Sequence, residues 1–134
     1  MGTVVNIQRA KEAVHEAPER YTEEEELESW KLYVRQSWRP VRDVKRGAVG
    51  AVFKVAYRDS DQGTDWLKAC PIDLITAALP TKWDAGHLEA ATYLTQLFFD
   101  YLYRTGLISE ADKNFQHEWA NAAKETLAGI LKRA

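Results

Sequence analysis

Apolar residues recur along most of this chain three and four positions apart, the spacing of one helix face. The clearest stretch begins at Thr22. Thr22 and Glu25 have capping-box spacing, and Glu23, Glu24, Glu25 and Glu26 fill a first turn where the helix dipole favours negative charge. Leu27, Trp30, Val34 and Trp38 then follow on one side. This predicts a helix from about residue 22 to 38. Pro40 ends or kinks it, or opens the next one.

Residues 41–58 support two readings. Val41, Val44, Ala48, Val52 and Val55 fit a helical stripe, whereas Val49, Ala51, Phe53, Val55 and Tyr57 alternate as in a strand. The helix is favoured, because no clear second strand exists to pair with. A polar loop follows from Arg58 to Gly63, then a short turn with Trp66 and Leu67. Pro71 suits the first position of a helix reaching Leu79, and Pro80 stops it.

Thr81 and Asp84, or Asp84 alone, can cap a helix over about 85–105. Its apolar positions Leu88, Ala91, Leu94, Leu97, Phe98, Tyr101 and Leu102 cover more than half the circumference, which marks it as the central helix. Gly106 suits the residue just past its end. Ser109 and Asp112 open a last helix to about 132, with Phe115, Trp119, Ala122, Ala123, Thr126, Leu127, Ile130 and Leu131 as its expected inner stripe. The fold class is all-α, a bundle of about five helices over 21–134, after a weakly patterned N-terminal arm at 1–20. The alternative is α+β, with a short strand at about 48–58.

With 134 residues, 46% of them hydrophobic and 28% charged, the chain has the size and composition of one globular domain, and disorder of the whole is excluded. Its single cysteine, Cys70, forbids an internal disulfide and suits a reducing, cytoplasmic setting. No basic stretch followed by an apolar run stands at the N-terminus, so no secretory signal is expected. The most apolar window, 94–108, contains Gln96, Asp100 and Arg104 and is too short and too charged to span a bilayer.

Charge is the strongest non-random feature. The net charge is only −2, yet residues 31–58 hold eight basic side chains against Asp43 alone, while residues 1–30 hold eight glutamates against three basic side chains. On a continuous helix, Lys31, Arg35, Arg39, Arg42 and Arg46 would share about one quarter of the circumference. Trp30, Tyr33 and Trp38 interleave with them. Cations mixed with aromatics suit an acidic protein partner and also suit phosphate contact with base stacking. The expectation is a non-enzymatic interaction or regulatory protein. Lys31, Tyr33, Arg35, Trp38, Arg39, Arg42 and Arg46 would bind a protein with an acidic surface. Nucleic acid on the same surface is the alternative. The plainer explanation is a solvated helix end whose cations complement the dipole, with Glu28 pairing Lys31 and the glutamate-rich start folded over the rest.

No motif forces a chemistry. His15, His87 and His117 include no metal pair at helical spacing. Asp84, His87 and Cys70 are the only group worth testing as an enzyme site, and a capped helix start explains the first two more simply. Asp59, Asp61 and Asp65 resemble the opening of a calcium loop, but Cys70 stands where its bidentate acid belongs. Gly47 and Gly50 match no phosphate-binding loop. No metal or cofactor is expected. Phe99 and Tyr103 lie away from the main apolar side of the central helix. They pack on another helix or form a patch suited to a partner or a homo-oligomer.

Overall fold

The computed structural model describes residues 22–40 and 44–133. The proposed arm at 1–20 lies outside them, as does Arg42. Five α-helices and one short 3-10 turn make up the described residues, with no strand among them.

Helix α1 is Glu23–Ser37, and its start is the expected capping box. Glu25 N–H donates to the Thr22 hydroxyl at 3.1 Å, and Thr22 N–H donates to Glu25 Oε1 at 3.0 Å. Trp38 is already extended, and its N–H donates to Val34 O at 2.9 Å to close the last turn. Helix α2, Ala48–Asp59, settles the two readings of that stretch in favour of the helix. Trp66–Lys68 form the 3-10 turn. Helix α3, Pro71–Ala78, begins on its proline. Helix α4, Ala85–Arg104, and helix α5, Glu110–Arg133, complete the chain.

Helix α4 is the centre, with α1, α2, α3 and α5 all packed against it. The ring of Phe98, fully buried, meets Trp30 edge-on at 5.0 Å and Trp66 at 5.8 Å, so one aromatic cluster joins α1, α4 and the 3-10 turn. Such pairs add roughly 0.5–1.5 kcal/mol each beyond the area they bury. Three hydrogen bonds to backbone carbonyls fix α1. Trp30 Nε1–H donates to Val49 O at 2.9 Å, Tyr93 O–H to Ser37 O at 2.8 Å, and Tyr101 O–H to Glu26 O at 3.5 Å.

Gly106, at φ +80°, ends α4. Leu107 N–H returns to Leu102 O at 2.9 Å and Gly106 N–H to Tyr103 O at 3.0 Å, which satisfies carbonyls that the helix end would otherwise orphan. The chain reverses there, and α5 runs back along α4. A polar clasp ties the two: Gln96 Nε2–H donates to His117 O, and His117 Nε2 meets Asp100 Oδ1 at 2.8 Å.

The inner stripe of α5 agrees with the expectation at Ala123 and Leu127 and differs elsewhere. Gln116, Ala120, Ala123 and Leu127 are buried, whereas Phe115, Trp119 and Ile130 are 61%, 41% and 45% exposed. Ala122 and Thr126 are exposed beside them. Small alanines on the inner side let α5 lie close to the bulky side chains of α4, where Trp119 would not fit. Phe99 is fully buried, which decides its case for packing. Tyr103 stays 38% exposed, with the Lys113 ammonium 4.9 Å above its ring. Among the described residues, no helix is long and apolar enough to cross a membrane.

Candidate functional site

The basic stretch does not form one helical stripe, because α1 ends at Ser37 and α2 begins only at Ala48. The two helices pack on each other and bring the cations they carry together in another way. Trp30, bonded to Val49 O, holds the middle of α1 against the start of α2. Beside that contact lies a cleft of about 260 Å³, lined by Lys31, Val34 and Arg35 from α1 and by Lys45, Gly47, Ala48, Val49 and Gly50 from the other wall.

Gly47 is the N-cap of α2, at φ +81°, and carries no side chain to cap the helix. The first turn of α2 has no acidic residue. The opening N–H groups of a helix lack intrahelical acceptors, and its dipole is positive there. The cleft therefore combines three cationic side chains with the positive end of a helix.

The expected site residues separate into two sets. Lys31 and Arg35 line the cleft. Lys31 also meets Glu28 at 3.5 Å, both side chains being well exposed. Such a pair is worth about 0–1 kcal/mol and exchanges readily for another anion. Arg46 is exposed and lines a neighbouring cavity of about 560 Å³ with Lys45, Thr76, Leu79, Pro80 and Trp83. Lys45 thus stands between two concavities. Arg39 is exposed, and its guanidinium donates to Trp38 O at 3.0 Å, beside the end of α1.

Tyr33 and Trp38 face inward. Tyr33 is 9% exposed, and its ring lies 5.5 Å from that of Tyr101. Burial pushes its phenol above the ordinary range, opposed by the Arg104 guanidinium nearby. Trp38 meets Tyr93 edge-on at 5.3 Å. Sequence reasoning missed Lys45 and the bare start of α2. The available signal was Gly47 followed directly by small and apolar residues, a helix start with no Ser, Thr, Asp or Asn to cap it.

The group considered for catalysis has a structural occupation. Asp84 and His87 cap α4 reciprocally: His87 N–H donates to Asp84 Oδ1 at 2.9 Å, and Asp84 N–H donates to His87 Nδ1 at 3.3 Å. Cys70 is half-buried at the N-cap of α3. Among the described residues no three His, Cys, Asp or Glu side chains gather as a metal site would need. Comparison with protein families, with curated proteins and with solved structures finds no match, so the cleft stands on its geometry alone.

Proposed function

We propose that this chain is a small helical binding protein that grips an acidic segment of a protein partner in the cleft between α1 and the start of α2. The observation that carries this reading is the meeting of Lys31, Arg35 and Lys45 in one concavity at an uncapped helix start. Carboxylates accept charge-assisted hydrogen bonds from such groups, which are about twice as strong as neutral ones. Arg46 extends the positive surface toward the second cavity, whose Leu79, Pro80 and Trp83 suit an apolar side chain of the same segment. A role in a reducing compartment agrees with the single Cys70.

A nucleic-acid partner is the weaker reading. Base stacking needs exposed rings, and Tyr33 and Trp38 pack against Tyr101 and Tyr93 instead.

Fluorescence anisotropy with a labelled Glu- and Asp-rich peptide tests the proposal on the full chain. The Arg35→Glu, Lys45→Glu double variant should bind at least about tenfold more weakly, the result of losing about 1.4 kcal/mol or more, with unchanged helicity by circular dichroism. Equal binding by both proteins overturns the reading. Tighter binding of a single-stranded oligonucleotide, with a steep salt dependence, would transfer the cleft to nucleic acid.

A further inference from the structure

The outward side of α5 carries an apolar seam. Phe115, Trp119, Ala122, Thr126 and Ile130 follow one another at intervals of four, three, four and four residues, which keeps them on one face. All five are exposed. The Thr126 hydroxyl donates back to Ala122 O at 3.2 Å, so its hydrogen bonding is met within the helix. The rings of Phe115 and Trp119 already pack on each other, with centroids 6.0 Å apart.

We propose that this seam is a two-fold interface between two copies of the chain, with their α5 helices antiparallel. The spacing of the seam fits an antiparallel register. When the axis passes between Ala122 and Ala123, half a residue from Ala122, Phe115 falls opposite the second copy's Ile130 and Trp119 opposite its Thr126. Asp112 then falls opposite the second copy's Arg133. Each of these three pairs, Phe115 with Ile130, Trp119 with Thr126 and Asp112 with Arg133, forms twice, as an isologous contact requires. The small residue lies at the axis, where the helices must approach most closely, and each aromatic meets an aliphatic or a methyl group. A parallel pair would instead set Trp119 on Trp119, Asp112 on Asp112 and Arg133 on Arg133. Glu118 and Glu125 lie toward the solvent rim of the seam, where water and salt screen their repulsion. A seam of five residues offers less than the roughly 800 Å² per partner of a standard stable complex, so association is reversible and follows concentration.

Sedimentation of the full chain from micromolar to millimolar concentration tests this. The mass should rise from the 15.3 kDa of one chain toward twice that value. Trp119→Glu should hold it at one chain with unchanged helicity. In a Cys70→Ser background, Ala122→Cys should form a disulfide-linked dimer on mild oxidation, while Asp112→Cys, far from its own copy in the antiparallel register, should not. A single chain at every concentration overturns the proposal, as does a dimer that survives Trp119→Glu. Cross-linking through Asp112→Cys as fast as through Ala122→Cys overturns the antiparallel register.

Discussion

The indole N–H of Trp30 donates to the carbonyl oxygen of Val49 across 2.9 Å, joining the middle of α1 to the first turn of α2. The bond orients the two walls of the cationic cleft, and the same indole packs on Phe98 and Tyr101. One side chain therefore anchors both the core and the site.

Trp30→Phe keeps most of the apolar volume but removes the second donor to Val49 O, which keeps its helical bond within α2. It should cost about 0.5–1.5 kcal/mol, the net worth of one hydrogen bond. Trp30→Ala should cost about 3–5 kcal/mol, because a cavity opens as well. Urea unfolding measures both. Equal losses would show that the ring volume kept by phenylalanine contributes nothing.

Two glycines of the cleft should respond in opposite directions to the same substitution. Gly47 has φ +81°, where an added Cβ is strained whatever space surrounds it. Gly47→Ala should therefore destabilise by roughly 1–2 kcal/mol. Gly50 lies inside α2, and an added Cβ would meet nothing within 4 Å. Gly50→Ala should stabilise by about 0.5 kcal/mol through a less flexible unfolded chain. Thermal melts compare the two directly.

Asp73 gives a pH prediction. Burial, and then a side-chain hydrogen bond with Asp59, raise its carboxyl above the ordinary aspartate range, while Arg58 opposes the shift. Asp59 Oδ1 is held by Arg58 at 3.0 Å, and its buried Oδ2 has no other partner. A protonated Asp73 carries a donor suited to that oxygen. Because the folded carboxyl holds its proton more tightly than the unfolded one, this stabilisation is complete below the ordinary aspartate value. It disappears as pH rises through the raised value. Asp73→Asn keeps a donor at every pH. It should match the parent in acid and exceed it at neutral pH by about 0.2–1 kcal/mol, the small size reflecting an exposed site screened by water. Parallel stability curves for the two proteins would contradict this.

Much of the fold was legible because local signals agreed. The capping box at Thr22, Pro71 at the first position of α3 and Gly106 after α4 each place a helix end where the structure has it. The centrality of α4 followed from its wide apolar face. The site was less legible. Basic residues count along the chain, but whether they converge depends on how α1 packs on α2, and that depends on Trp30 reaching a backbone carbonyl nineteen residues away. Tyr33 and Trp38 looked like contact residues because an aromatic beside arginines fits a surface or a core equally well. The face of α5 was legible at Ala123 and Leu127 but not elsewhere, because its largest apolar residues are not the inner ones. Burial went to Ala120, Ala123 and Gln116, chosen by closeness of approach rather than hydrophobicity.

The two faces of α5 are related by a single step. Gln116, Ala120, Ala123 and Leu127 point inward, and the residue just before each of them is Phe115, Trp119, Ala122 and Thr126. One residue turns a helix by about 100°. The length of the reversal after Gly106 thus works as a selector: one residue inserted there would rotate the seam into the bundle and drive two aromatics into slots shaped for glutamine and alanine. What keeps the ring pair in contact with water is the count of residues in that turn.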